Sequence, residues 1–126
     1  MKSLSLFSGP TISREDLNSY SLSLVPIDGD HMAPTLRGGL DYVLVAPCDE
    51  FSGDSLYVIE DEAGQPIVWH CQSSISGIRL RGHNPAYDSE PGIDVPRGWF
   101  NARVLGRVVA DIKVREPELI RSVATG

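Results

Sequence analysis

The chain has 126 residues, of which 41% are hydrophobic and 22% charged, and its formal net charge is -6. This length suffices for one domain with its own apolar core, and the acidic balance disfavours broad non-specific DNA binding, which needs a basic face. The first residues hold too short an apolar run for a signal peptide, and no later stretch is long enough to span a membrane. We therefore expect a soluble, cytoplasmic protein.

Short β-rich runs dominate the chain in sequence order. Residues 1–21 are polar and predict an N-terminal arm, with a candidate short helix capped at Ser13. Strands are predicted at residues 22–27, 42–45, 56–59, 66–71, 78–81 and 103–114, separated by glycine-containing turns. No segment after residue 20 keeps a helical period over three turns. The sequence therefore predicts a mainly β, barrel-like domain over residues 22–114 and a tail over residues 115–126 that adds a little helix or frays.

The cysteines and histidines show no ligand spacing. Cys48 and Cys71 form no CxxC pair and are expected to be free thiols in a reducing compartment. His31, His70 and His83 have neither i,i+2 nor i,i+4 spacing, so we expect three unrelated side chains, with His70 facing solvent or an interface and His83 on the surface. No metal and no cofactor is predicted.

Residues 29–36, Gly-Asp-His-Met-Ala-Pro-Thr-Leu, carry the clearest motif. They resemble the Gly-Asp-Ser-Met-x-Pro-Thr-Leu nucleophile loop of the LexA-like serine peptidase family, which includes LexA, the UmuD proteins and the C-terminal domains of lambda-type phage repressors. Further family-like segments follow in family order: Asp-x-Val-Leu-Val at residues 41–45, a Gly-Asp strand start at 53–58, Asn-Pro-x-Tyr at 84–87 and Gly-Arg-Val at 105–109. The resemblance spans roughly residues 22–114 and implies a LexA/signal-peptidase-like twisted-sheet barrel with a short N-terminal arm.

In that family a serine hydroxyl attacks a peptide carbonyl and a neutral, buried lysine takes its proton. The resemblance puts His31 at the serine position and Trp69 at the lysine position. An indole N–H only donates, so both halves of the dyad are missing and we expect a naturally inactive homologue. His31, Met32, Trp69 and Cys71 are then expected to form a former cleft that binds rather than cuts.

Several alternatives remain open for these side chains. Cys71 lies on the same strand face as Trp69, about 7 Å further along, where it would serve with His31 as a rebuilt nucleophile and base, although filling the core is the favoured role. His31 either contacts a partner or simply fits its loop. Trp69 either plugs the cleft, which is favoured, or forms a platform for a partner. Trp99 and Phe100 are expected in the core or at a dimer seam.

The resemblance implies a protein-interaction module in phage or SOS-type regulation. The stretch before residue 22 is too short for a helix-turn-helix DNA reader, and Ser-Gly-Pro at residues 8–10 differs from the Ala-Gly or Cys-Gly cut in the family. We expect contacts with a repressor, a polymerase or another DNA-transaction protein, and a homodimer formed by edge pairing of the last strand, at Val104, Leu105, Gly106, Arg107, Val108 and Val109. The alternatives are an active self-cleaving or trans-acting peptidase, and direct DNA binding through Arg79, Arg81, Arg103 and Arg107.

Overall fold

The computed structural model describes residues 22–87, 92–116 and 118–119. The predicted arm at residues 1–21 and most of the predicted tail lie outside the described residues. Within them, seven strands alternate with turns, one 3-10 turn spans Pro85–Tyr87, helix α1 spans Arg97–Arg103, and residues 118–119 are helical. The strands are β1 Ser23–Pro26, β2 Tyr42–Pro47, β3 Ser55–Glu60, β4 Pro66–Ser74, β5 Gly77–Arg81, β6 Ile93–Val95 and β7 Val104–Ile112.

The strands form one antiparallel sheet in the order β1-β2-β7-β3-β4-β5-β6. Strands β3 to β6 follow one another as a meander, and β7 returns to lie between β2 and β3. The predicted fold class, mainly β, is confirmed, and register shifts next to Leu105 and Val109 add the local twist typical of bulges. In the described part of the chain β1 and β6 are the two edges of the sheet and are not hydrogen-bonded to each other. The sheet is therefore open there, and the predicted barrel is not observed.

The predicted edge pairing of the last strand is wrong for the first part of β7. Val104, Gly106 and Arg107 pair with β3, while Gly106 to Ile112 pair with β2. Both sides of the strand are therefore occupied around Gly106, and only the part from Val108 onward pairs with β2 alone. Both partners of β7, strands β2 and β3, are distant from it in sequence, so its place inside the sheet does not follow from the local pattern of residues.

Two apolar clusters pack on opposite faces of the sheet, because successive residues of a strand point to opposite sides. Helix α1 covers one face and the loop from Ile27 to Asp41 covers the other. The first cluster contains Tyr57, Ile59, Cys71, Ile78, Leu80, Val95, Phe100 and Val104. The second contains Ile27, Met32, Leu36, Val43, Val45, Val58 and Val68.

Helix α1 and strand β6 are missing from the sequence prediction. The helix has seven residues, under two turns, so it never develops the period that sequence analysis detects, and Pro96 precedes its first residue. Phe100 on this helix is fully buried in the first cluster, which confirms its predicted core position. Trp99 is half-buried and lies under the Arg103 guanidinium, whose carbon is 4.4 Å from the ring centroid. None of the helices in the described residues is long and apolar enough to cross a membrane.

Candidate functional site

The loop from Ile27 to Asp41 carries His31 and is anchored by a buried carboxylate. The side chain of Asp41 has no exposed surface and accepts hydrogen bonds from the Arg37 backbone N–H at 2.8 Å and the Arg37 guanidinium at 2.7 Å. The Lys113 ammonium, just after β7, lies 3.1 Å from the same carboxylate and also donates to the Thr35 carbonyl. The Arg37 hydrogen bonds, with a smaller contribution from Lys113, hold the pKa of Asp41 well below its usual range. The loop is thus tied to the end of β7.

Within this loop, Met32 and Leu36 anchor the chain in the second cluster. Both side chains are fully buried, and the Leu36 N–H donates to the Met32 carbonyl at 3.0 Å. The peptide bond between Ala33 and Pro34 is cis. Met32 was expected to line a binding cleft, but its side chain is buried in the second cluster and does not line the groove beside His31. Its packing fixes where the preceding residue, His31, points.

His31 and Trp69 lie side by side. Their ring centroids are 4.8 Å apart with planes inclined at 48°. The Nε2 of His31 is 2.7 Å from the carbonyl oxygen of Val68, so Nε2 carries a proton and donates it there. The His31 carbonyl in turn accepts from the backbone N–H groups of His83 and Asn84 at 2.8 and 3.0 Å. The two positions that the resemblance assigns to the dyad are therefore neighbours in space.

The close packing at this point leaves no room for an extra carbon. A Cβ built on Gly82 would lie 2.6 Å from the His31 carbonyl oxygen, which is backbone and cannot move aside independently. Trp69 is half-buried and packs against the first cluster, on the side of the sheet that carries α1. The two positions therefore hold neither the hydroxyl nor the amine that Ser-Lys chemistry uses: the Trp69 indole has no basic nitrogen, and His31 offers an imidazole whose Nε2–H is bonded to Val68.

Cys71 belongs to the core rather than to this pair. Its side chain is fully buried in the first cluster, and its Sγ donates a weak hydrogen bond to the Trp69 carbonyl at 3.6 Å. Burial raises the pKa of the Cys71 thiol to about 12, so the thiolate is scarce at neutral pH. In the described part of the chain no hydrogen bond joins Cys71 to His31. The geometry thus favours the core role over the rebuilt Cys71–His31 catalyst.

The expectation of three unrelated histidines is wrong. The Nδ1 of His70 lies 2.9 Å from the Nε2 of His83, and the Nδ1 of His83 lies 2.9 Å from the Thr35 hydroxyl. The two imidazoles meet at 89° with centroids 5.0 Å apart, and both side chains are half-buried rather than on the open surface. Burial, and then the proximity of His70 and Arg81, lowers the pKa of His83. We call Thr35, His83 and His70 the histidine chain.

The histidine chain has the connectivity of a hydroxyl, a base and an orienting group, which is the arrangement of a nucleophilic catalyst. Such a catalyst also needs donors aimed at the developing oxyanion. The backbone N–H groups of His83 and Asn84 stand nearby, but both donate to the His31 carbonyl. In this conformation they are not directed at a substrate.

A groove of about 610 Å³ lies beside His31, along the first residues of β4. Strand β5 pairs with β4 only from His70 to Ser74, so the edge of β4 at residues 66–68 has no β5 partner. Neither Trp69 nor Cys71 lines this groove; the residues that do are Pro26, Ile27, Asp28, Gly29, His31, Asp61, Gln65, Pro66, Ile67 and Val68. Of these residues only His31 was predicted from the sequence, because the lining combines two stretches of chain, residues 26–31 and 61–68, that meet only in the fold.

No group of three or more His, Cys, Asp or Glu side chains among the described residues is arranged to hold a metal ion. No protein-family model matches the sequence, and a search of curated proteins finds no significant match. The likeness to LexA-like peptidases is carried by the motifs of the sequence itself, chiefly residues 29–36, 41–45 and 84–87.

Proposed function

We propose that this chain is a catalytically inactive LexA/UmuD-like peptidase-fold domain that acts by protein–protein contact. The observation that carries the proposal is the contact between His31 and Trp69, at the two positions that the motifs align with the family's serine and lysine. The His31 N–H is bonded to the Val68 carbonyl, so at the former serine position an imidazole lines the groove in place of a nucleophilic hydroxyl. A protein-binding groove without a cutting residue fits an interaction module in phage or SOS-type regulation.

The partners proposed are a second copy of the chain and a repressor, polymerase or other DNA-transaction protein. Leu105 and Val109 support a homodimer, because these two large apolar side chains of β7 are 44% and 52% exposed. Both lie where the register shifts, so they can contact a partner although the strand edge near Gly106 is already paired. The contact we propose is between side chains on the exposed surface of β7.

Light scattering across a concentration series tests this contact. We expect a dimer for the wild type and a monomer for Leu105→Ser with Val109→Ser. Ile75→Ser is the matched control, because Ile75 is a fully exposed isoleucine at the β4–β5 turn and the control should remain dimeric. A wild type that is monomeric at every concentration, or a double variant that is still dimeric, would contradict the proposed interface.

An affinity pull-down from the source cells tests the hetero-partner. We expect capture of a DNA-transaction protein, and weaker capture by the double variant Asp28→Lys with Gln65→Lys, which changes two exposed side chains that line the groove. Asp49→Lys, an exposed substitution outside the groove lining, serves as the charge control. If the groove variant captures the same protein as strongly as the control, the groove is not the binding site.

The alternative of an active peptidase has one structural observation in its favour, the histidine chain, which supplies a hydroxyl and a base at 2.9 Å. The alternative of direct DNA binding has less structural support, because two of the arginines that it needs already contact other side chains of the chain. Arg79 pairs with Asp94 at 2.9 Å, and Arg103 stacks on Trp99. Binding to random duplex DNA that falls steeply with salt would revive it.

A further inference from the structure

The histidine chain joins three separate segments of the fold. His70 lies on β4, His83 follows β5, and Thr35 belongs to the loop that carries His31. The same junction includes the backbone N–H of His83 donating to the His31 carbonyl at 2.8 Å, and the Asn84 side chain donating to the Asp30 carbonyl at 2.8 Å. These contacts together hold the loop against the end of the β4–β5 hairpin.

The contact between the two imidazoles depends on protonation. A hydrogen bond between ring nitrogens needs one N–H and one bare nitrogen, so a neutral pair or a singly protonated pair can make it. When both rings are protonated, all four nitrogens carry hydrogens and two positive charges face each other across 2.9 Å. The bond is then lost and replaced by repulsion. This makes the junction acid-labile in a way that an amide or hydroxyl contact would not be.

The charges around the junction add to this sensitivity. Arg81 on β5 lies opposite His70 on β4 in the strand register. Its positive charge also lowers the pKa of His83, although burial has the larger effect. The Lys113 ammonium, just after β7, donates to the backbone carbonyl of Thr35. The charges of Lys113 and Arg37 are both paired with the Asp41 carboxylate. Asp30, whose carbonyl accepts from Asn84, is the acidic residue of the loop next to the junction. Among the described residues, no ion pair joins a carboxylate to either imidazole.

The contact of His31 itself is insensitive to acid. Its Nε2–H donates to the Val68 carbonyl whether or not Nδ1 is protonated, and a protonated ring beside the Trp69 indole gains cation–π attraction. Acid therefore acts on the histidine chain and leaves the bond of His31 intact until the loop itself moves.

We propose that Thr35, His83 and His70 form a pH-dependent latch, which keeps the loop at residues 28–36 closed near neutral pH and releases it when both imidazoles are protonated. Release frees the Val68 carbonyl at the edge of β4 and widens the groove that His31 lines. The latch is a property of the chain alone. Only its effect on partner binding rests on the function proposed above.

Amide hydrogen exchange between pH 8 and pH 5, corrected for intrinsic rates, measures the latch directly. The reporters are the N–H groups of Ala33 and Leu36, which donate to carbonyls within the loop at 3.1 and 3.0 Å. Loss of about one net hydrogen bond predicts a roughly 2- to 13-fold rise in corrected exchange. The rise should come at a pH below about 6.5, the ordinary pKa of histidine, because both rings must be protonated and burial lowers the pKa of His83. Amides of β3 and β7 serve as the reference and should keep their protection over the same range.

Two variants separate the latch from general acid effects. His70→Gln replaces a titrating ring by an amide that donates and accepts at any pH, so the loop amides should lose their pH step. Arg81→Gln removes a positive charge near His83 from an exposed position, so the step should move to higher pH. Arg81→Gln keeps the test decisive if His70→Gln does not fold.

Corrected loop exchange that stays flat from pH 8 to pH 5 in the wild type would overturn the latch. A step that Arg81→Gln leaves at the same pH would overturn it as well, since the titrating group would then lie elsewhere. Neither result concerns the inactive-module proposal, which is tested by partner capture at neutral pH. A pH step in the absence of any captured partner would support the latch and count against the proposed function alone.

Discussion

Asp41→Asn is the substitution that tests most sharply what holds the His31 loop. It keeps the shape of the side chain but removes the charge that faces Arg37 and Lys113. The amide NH₂ would meet either the guanidinium or the ammonium group, so at least one close contact becomes donor against donor. Because the loop ends at Asp41, we expect it to loosen together with the residue that follows β7.

The magnitude follows from the burial of the three groups. The Asp41 carboxylate has no exposed surface, whereas the Arg37 and Lys113 side chains are 44% and 50% exposed. Hydrogen bonds to charged groups contribute about 1.5–3 kcal/mol each, and removing one partner of a fully buried pair costs about 3–5 kcal/mol. Here the surviving cations can turn to water, which reduces the cost. We expect the free energy of unfolding to fall by about 2–4 kcal/mol.

Urea denaturation at pH 7 measures this change, with Asp111→Asn as the control because Asp111 is an exposed carboxylate on β7. The control should unfold at nearly the wild-type midpoint. The pH dependence supplies a second check. The pKa of Asp41 is lowered in the folded state, so its contribution is complete above the unfolded value of 3.8 and is lost as the pH falls through the lower folded value.

The difference between wild type and Asp41→Asn should therefore be constant from pH 5 to pH 8 and shrink only in strong acid. A loss of stability below about 0.5 kcal/mol at pH 7, comparable to an ordinary surface change, would refute the argument that this carboxylate anchors the loop.

Three further predictions concern the core around the site. Gly106→Ala should lower the free energy of unfolding, measured in urea, by about 1–3 kcal/mol. The new Cβ would lie 2.4 Å from a Val45 methyl carbon and 2.6 Å from a backbone carbonyl oxygen. A neutral effect would show that β2 and β7 are packed less closely. Tyr57→Phe should lower the free energy of unfolding by about 1–2 kcal/mol in the same assay. The buried hydroxyl accepts from the Ser52 N–H at 3.0 Å and donates to the Gly53 carbonyl at 2.7 Å, and both bonds would be lost. An unchanged midpoint would show that these bonds make no net contribution to stability. In the native protein a disulfide reagent should modify the half-buried Cys48 well before the fully buried Cys71. In denaturant both thiols should react at similar rates. Rapid labelling of Cys71 in the native protein would contradict its place in the core.

Local patterns in the sequence predict most of the sheet. Alternation and β-branched residues locate six strands to within a few residues, from residues 22–27 for β1 to residues 103–114 for β7. Strand β6 has three residues and helix α1 has seven, both too short for a period to emerge. The position of β7 inside the sheet depends on pairings with β2 and β3, tens of residues away in sequence, so the edge assignment could not be tested by pattern alone.

The site shows the same division between local and non-local information. The motif at residues 29–36 and the counted position of Trp69 single out the two rings that meet at 4.8 Å. The histidine chain is invisible in sequence because its members are separated by 13 and 48 positions and converge only when β4 and β5 pair and the loop folds back. Met32 was assigned to the cleft by its place in the motif, yet its apolar side chain fills the second cluster instead.

Intact-mass spectrometry after prolonged incubation at alkaline pH tests the central claim most directly. High pH deprotonates the lysine of an active Ser-Lys peptidase and promotes its self-cleavage, so the variant His31→Ser with Trp69→Lys is incubated in parallel to ask whether the pair can be restored. The account predicts that the wild-type chain, with His31 bonded to Val68 and packed on Trp69, keeps its full mass. A wild-type chain that cuts itself, most tellingly within residues 8–20, would show that a catalytic site exists and would contradict the inactive-module proposal.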